Sequence, residues 1–279
     1  MSWRWVIPIL LFICLGVVVV FQHRDREEVV VRFGFLEGDL HHLPYFVAVD
    51  ERVWGGKNLF ERVGLKVVLA EGAPYVNGPV LMDRFACGDV DIAYLGSAPA
   101  IIKSVNLGVK IRVLALVNVE GSALIVRENV SSLEDLVGGV VATPGPGTIQ
   151  DFLFRVLIDR GGFSPRDFSI VKISPKDMCV KLESGGIDGF IAWEPFCSEA
   201  VVKGVGKALF LSRDIWPEHP CCVVAVREEF LRERPDLVVK FLVAHVIAEN
   251  WINNALRDEK NYTLLLDIAC KLSLIHISE

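Results

Sequence analysis

Short β-branched apolar runs alternate with amphipathic stretches along most of the chain. "VVVRFGF" (29–35) predicts a buried strand and "LKVVLAE" (65–71) a second. Between them the loop "LEGDLHHLP" leads into a helical pattern from about Pro44 to Trp54. "GPVLMDRFACGDVD" (78–91) has the period of an amphipathic helix ending near Gly88, and "IAYLG" (92–96) is a short strand. "SAPAIIKSVNLG" (97–108) reads as a helix with Ser97 as N-cap and Gly108 as its stop, and "VKIRVLALVNV" (109–119) as a long strand.

The pattern then starts again. "SALIVRE" (122–128) is a strand, and Ser132 with Asp135 makes a weak capping box for a short helix. "VVATPGPG" (140–147) is a strand entering a glycine/proline loop, followed by the strongly periodic helix "TIQDFLFRVLIDRGG" (148–162). "FSIVKIS" is a strand and "PKDMCVKLESG" a helix. In "DGFIAWEPF" (188–196) an apolar run ends abruptly in Trp193-Glu194-Pro195. "KALFLSRD" (207–214) and "CCVVAVRE" (221–228) are further strands, and two helical segments fill most of the rest. Strands alternating with helices predict an α/β protein with mostly parallel sheets and helices on both faces. The restart near residue 120 predicts two lobes: the first over 29–119, the second over 120–214, with a return to the first over 215–271. Crossovers near 117–122 and 214–221 would serve as a double hinge around a cleft.

The first residues do not fit this alternation. One Arg precedes an unbroken apolar run from Trp5 to Phe21. Its length is at the short end of the roughly 17–25 residues a bilayer span needs. It exceeds the core of most signal peptides, about 7–15 residues, and no small-x-small cleavage site follows. Residues 1–28 are therefore read as an uncleaved membrane anchor and linker, with a cleaved signal peptide or a buried core helix as alternatives. Arg4 favours a cytoplasmic N-terminus.

Composition narrows the partners. The chain has 279 residues, 52% apolar, with a formal net charge of −6. That is ample for a core and gives no basic cluster for nucleic acid. Seven cysteines are irregularly spaced and none falls in a CxxC pair, so no metal site is expected and the thiols read as small buried apolar residues. A Cys179–Cys197 disulfide is open in an oxidising compartment. The adjacent Cys221 and Cys222 would point to opposite faces of a strand, a structural role.

In open α/β sheets, ligands bind beyond the carboxyl ends of the strands. Those ends carry Glu37, Asp39, His41 and His42 after the first strand, and Gly96 and Ser97 after the third. They carry Asn118 after the long strand, Gly147, Thr148 and Gln150 after the 140–143 strand, and Trp193 and Glu194 after the apolar run. The "TPGPGTIQD" loop lets backbone approach a ligand, and the helix start can hold an anion. It lacks both the Gly-x-Gly-x-x-Gly spacing and a Walker lysine, so it is not a nucleotide loop. The alternative for Thr148 is the cap of an ordinary turn, and for Asp39 the cap of the helix after it. Glu194 beside an anion calls for a ligand amine or ring nitrogen, unless it braces the opposite lobe.

Three segments in order, "GDVDIAYLGSAPAIIKSVNLGVKIRVLALV" (88–117), "SSLEDLVGGVVATPGPGTIQDFLFRVLIDRGG" (131–162) and "KLESGGIDGFIAWEPF" (181–196), together with "GDLHHLPYFVAVDE", carry a resemblance. The chain resembles the substrate-binding proteins of ABC importers in the nitrate/sulfonate/taurine family, which also takes in thiamine-pyrimidine-precursor binders. The resemblance implies a periplasmic-binding-protein fold of the second type. It implies that the loops at Glu37–His42, Ser97, Thr148 and Trp193-Glu194 line the cleft. It implies a monomeric, non-enzymatic, cofactor-free binder outside the cytoplasm that delivers a small solute to a permease and its ATPase. A thiamine-pyrimidine synthase-like enzyme on the same fold and a membrane-tethered sensory domain are the alternatives. Residues 272–279, "LSLIHISE", resemble translated adapter sequence and are expected to be a non-native tail on a truncated chain.

Overall fold

The structure, a computed structural model, describes residues 30–274. The apolar run of residues 5–21 and positions 275–279 of the suspected tail lie outside the described residues. Among the described residues, no helix is long and apolar enough to cross a membrane.

Among the described residues, ten strands form two five-stranded sheets. The first contains β1 (Val30–Gly34), β2 (Lys66–Leu69), β3 (Ile92–Gly96), β4 (Ile111–Val119) and β10 (Pro220–Arg227), in the order β2-β1-β3-β10-β4. The second contains β5 (Ser122–Val126), β6 (Val140–Thr143), β7 (Ser169–Lys172), β8 (Gly189–Trp193) and β9 (Lys207–Leu211), in the order β7-β6-β8-β5-β9. Both sheets are mixed. β10 runs antiparallel to β3 and β4, and β5 runs antiparallel to β8 and β9. The parallel pairs are β1 with β3, and β6 with β7 and β8. One reversed strand per sheet is what the chain needs to pass between sheets without a helix. It leaves the first sheet after Val119 and enters the second at Ser122, and it returns at Pro220.

Burial explains the strand sequences. β3, β5 and β8 are buried at every position, which is why they read as continuous apolar runs without alternation. β4 is an edge strand and leaves Val113, Leu116 and Val119 exposed. On the first sheet the Pro235–Ala255 helix presses Phe241 into a nest of rings. Phe241 lies 5.4 Å from both Phe33 and Phe60 and 6.0 Å from Tyr94. The same helix carries His245, whose Nε2–H donates to Leu116 O at 3.0 Å and whose Nδ1 accepts from the Tyr94 hydroxyl at 2.7 Å. One neutral imidazole thus ties β3, β4 and the helix together. Burial lowers its pKa, consistent with that state.

Asp91 fastens the opposite end of the first sheet. Arg32 Nη2 lies 2.7 Å and Arg227 Nη2 2.8 Å from its Oδ1, joining β1, β3 and β10. Burial opposes its ionisation, but the bonds from Arg32 and Arg227 outweigh that and hold the carboxyl below its ordinary range. A depressed folded pKa contributes stability that is complete above the ordinary carboxylate pKa. That stability is lost as pH falls through the folded value. Asp91→Asn is expected to cost about 3 kcal/mol, the low end for a broken buried pair because Arg32 stays half in solvent. Thermal melts should show the wild-type advantage at neutral pH shrinking as the pH is taken below the carboxylate range. An advantage that persists there would exclude this origin.

Candidate functional site

The carboxyl ends of β1, β3, β4, β6 and β8 converge, and the start of the reversed β10 joins them. The loop after β1 is organised by Asp39, whose Oδ1 accepts from His41 N at 3.0 Å and caps the short 3-10 turn Leu40–His42. Asp39, His41 and His42 are all buried, and the two histidines lie in this turn. Leu36 N donates to His42 Nδ1 at 3.1 Å, which leaves the His42 proton on Nε2. His41 Nε2–H donates to Gly121 O at 3.0 Å.

Gly121 is in the first crossover. Its φ is +80°, and a Cβ there would stand 2.2 Å from His41 Nε2, so glycine is required both by conformation and by contact. The two crossovers also hold each other. Glu120 N donates to His219 O at 3.1 Å, and Glu218 N donates to Glu120 Oε1 at 2.9 Å. Asn118 Oδ1 accepts from Cys222 N at 3.0 Å, and its amide donates to Glu120 O at 3.2 Å. Asn118 therefore shapes the crossover. Ser97 does not cap its helix: Gly96 is the N-cap, and the Ser97 hydroxyl donates to Pro220 O at 2.6 Å.

That geometry overturns the expected alternation of the adjacent cysteines. β10 pairs Pro220 with Val119 and Cys222 with Asn118, so Cys221 is the extra residue of a bulge. A bulge re-aims side chains that would otherwise alternate. Both sulfurs reach His41 Nδ1, Cys221 Sγ at 3.6 Å and Cys222 Sγ at 3.8 Å, and Cys222 Sγ lies 3.9 Å from Asp39 Oδ2. Spacing along the chain excluded a His/Cys cluster, yet the fold assembles one from residues 180 positions apart. Cys179 and Cys197 are free thiols.

The charges of this cluster are coupled. Burial pushes the Asp39 carboxyl up to about 7, against the pull of His41. Burial opposes charge on His41, but Asp39 and the Cys221 sulfur raise it to about 10. Burial and then His41 hold His42 well below its ordinary value. The Cys222 thiol and His41 hold Cys221 well below the usual thiol range, while Cys222 is raised by its bond to Cys221 and by burial.

The second sheet supplies the opposite wall. Thr148 caps the Ile149–Arg160 helix: its Oγ1 accepts from Asp151 N at 3.2 Å and donates to Gly145 O at 2.8 Å. Gly147, with φ +79°, turns the loop ahead of it. Gln150 Nε2 donates to Ser122 Oγ at 3.0 Å, and Ser212 Oγ accepts from Ser122 N at 3.1 Å. Trp193 is 2% exposed, and its Nε1 has no hydrogen-bond partner among the described residues. Glu194 Oε2 accepts from Ser198 N at 3.0 Å, while its carbonyl accepts from Leu40 N at 3.1 Å, so its backbone braces the first wall. Asn77 Nδ2 donates to Pro144 O at 3.2 Å and Lys176 Nζ lies 3.3 Å from Glu37 Oε1, two further contacts between the walls. Asn77 was not singled out in the sequence, although Asn-Gly-Pro before an amphipathic run is a helix-start signal.

Between the walls is a cavity of about 10 Å³, bordered by Asp39, Gly96, Thr148, Gln150, Trp193 and Cys222. That is room for about one water, so the walls are closed on each other. A larger open groove of about 770 Å³ lies around Phe85, Gly108, Lys110, Arg227 and Arg232, at the far end of the first sheet. It gathers none of the strand-end side chains.

Two α/β sheets joined by paired crossovers, with a closed cleft at their strand ends, define the periplasmic-binding-protein fold. The solved periplasmic nitrate-binding protein NrtA from Synechocystis PCC 6803 has this fold: TM-score 0.70, 19% identity, 87% of this chain and 66% of that one covered. The chain belongs to the NMT1-like family, whose model matches residues 24–266. It is 29% identical over 176 residues to the taurine-binding periplasmic protein of Escherichia coli, covering 62% of this chain and 54% of that protein. It is 24% identical over 226 residues to the nitrate/nitrite binding protein NrtA of a Nostoc species, covering 73% and 51%. The chain thus spans about half the length of these two relatives.

Gly121→Ala is expected to destabilise the fold by more than the roughly 1–3 kcal/mol of backbone strain at such a site. Gly138→Ala supplies the strain alone, since Gly138 has φ +78° and no atom within 4 Å of a Cβ. Denaturant midpoints of the two variants should differ by the displaced His41 contact. Equal losses would show that the crossover can move aside freely.

Proposed function

We propose that this chain is the solute-binding component of an ABC importer, acting outside the cytoplasm. It captures a small oxyanion, sulfonate, amino-sulfonate or related heterocyclic solute by closing two walls over it, and passes it to a membrane permease driven by an ATPase. It works as a monomer, without bond-making chemistry, and is tethered or exported through its N-terminal apolar segment. Relatives that bind taurine and nitrate support the solute class. The observation that carries the reading is the buried, unpartnered Trp193 Nε1–H beside a cavity to which both sheets contribute. A buried donor without a partner costs about 1–3 kcal/mol, a cost that an acceptor atom of the solute removes.

Selectivity then follows from the walls. Gln150 and the first turn of the helix that Thr148 caps offer donors to an oxyanion, while Asp39 and Glu194 offer acceptors to an amine. Glu37, His41, His42, Gly96, Ser97 and Asn118 shape the first wall around them. The cleft opens to admit the solute, since the closed cavity is far smaller than a sulfonate.

Thermal melts of the full-length chain should rise in a dose-dependent way with one of nitrate, bicarbonate, taurine, an alkanesulfonate or an aminomethylpyrimidine. Trp193→Phe keeps the ring and removes the donor. If that donor meets a charged solute, affinity falls about 10- to 100-fold, the worth of a charge-assisted bond of about 1.5–3 kcal/mol. A chain stabilised by pyridoxal phosphate and by none of these solutes would sink the binder reading.

A further inference from the structure

We propose that Asp39, His41, Cys221 and Cys222 form a binding site for one soft divalent cation of the zinc class at the base of the cleft. The inference goes beyond solute capture and stands on the geometry of four buried side chains. His41 Nδ1, Cys221 Sγ and Cys222 Sγ offer donor atoms that all lie within 4.8 Å of one another. Zinc bonds of about 2.3 Å to sulfur and about 2.0–2.1 Å to nitrogen or oxygen set tetrahedral donors about 3.4–3.8 Å apart. The observed separations are 3.6 Å and 3.8 Å from His41 Nδ1 to the two sulfurs. Asp39 Oδ1 is 3.2 Å from His41 Nδ1 and its Oδ2 is 3.9 Å from Cys222 Sγ, so its carboxylate is in reach of the fourth position.

The surroundings favour metal ligation over plain packing. His41 gives its Nε2–H to Gly121 O, the outer-shell bond that orients a ligating imidazole and turns the Nδ1 lone pair toward the ion. Asp39 is in turn held by His41 N. The bulge at Cys221 sets both sulfurs on one side of β10, which a regular strand cannot do. His42 is excluded as a ligand in the neighbouring Asp39–His42–Cys222 group, because its Nδ1 accepts from Leu36 N and its Nε2 carries the proton. Two thiolates with one imidazole select zinc, or cobalt as its substitute, over calcium and magnesium. Binding displaces the protons that the imidazole and the thiols carry, and it clamps the β1 loop to the returning β10.

The experiment uses the full-length chain, reduced, stripped with a chelator and titrated with Co²⁺ and then Zn²⁺ in the absence of any solute. One cobalt per chain should bind with a thiolate-to-cobalt charge-transfer band, and one equivalent of Zn²⁺ should displace it. The double variant Cys221→Ser/Cys222→Ser should abolish the band, and His41→Gln should weaken binding more than tenfold. Cys197→Ser, a buried thiol that bonds only the carbonyls of Ala123 and Ala192, should leave the band intact. X-ray absorption of the zinc-loaded wild type reads the ligands without any variant, and should find two sulfurs at about 2.3 Å with nitrogen or oxygen at about 2.0 Å. A band that survives the double variant, a wild type with no band, or a shell without sulfur overturns the site. Because no solute is present, failure here leaves the importer reading untouched, and a chain that binds metal but no solute refutes only the latter.

Discussion

The hydrogen bond from His41 to Gly121 is the point on which both halves of the molecule turn. It joins the loop after β1 to the first passage between the sheets, and it exists only because residue 121 has no side chain. The second passage lies alongside through Glu120, Glu218 and His219. Two passages bonded to each other can rotate as a pair but cannot drift apart. On the capture cycle proposed above, motion about them opens and closes the strand ends while the far end of the first sheet stays pinned by Asp91. A single connection would allow slippage, and the polar atoms of the two walls would no longer meet in register.

That constraint explains why so much polarity is buried here. Asp39, His41, His42, Thr148 and Gln150 are all within a tenth of full burial, where unpaired groups are costly. Most of their bonds are to nearby backbone: Asp39 accepts from His41 N, His42 Nδ1 from Leu36 N, and Thr148 donates to the loop before its helix. Side chains committed in this way cannot relax when the cleft opens, so each wall stays preformed. What is left over is equally informative. The indole hydrogen of Trp193 and the Nε2–H of His42 have no such partner among the described residues, and the thiols of Cys221 and Cys222 share one imidazole nitrogen. These are the groups with capacity to spare for something that is not protein.

The sequence made the strands and most helices legible because their periodicity is local. The continuous apolar runs of β3, β5 and β8 announced strands buried on both faces, and Gly88 and Gly108 end their helices where expected, both at positive φ. The strand ends were legible too, since an abrupt change from apolar to polar marks them. Long-range register was not. Nothing local distinguishes Cys221-Cys222 on a regular strand from the same pair on a bulge, because the extra residue is defined only against Asn118 and Val119 of β4. The roles of Ser97 and Asn118 were hidden for the same reason: their partners, Pro220 and Cys222, come from a strand over a hundred positions away.

The closed cleft is held by few bonds that opening must break. Leu40 to the Glu194 carbonyl and Asn77 to the Pro144 carbonyl are the direct ones, and Lys176 with Glu37 is a half-exposed pair at the rim. At about 0.5–1.5 kcal/mol for each hydrogen bond and less for the ion pair, closure is favoured by about 1–4 kcal/mol before any solute enters. A gap of that size leaves an open form populated at about 15% at its low end and about 0.1% at its high end, enough for a solute to find it. On the capture cycle proposed here, the solute adds its contacts only to the closed form, beside Trp193. The free energy it contributes there, and not any rearrangement of the crossovers, decides how long the walls stay shut.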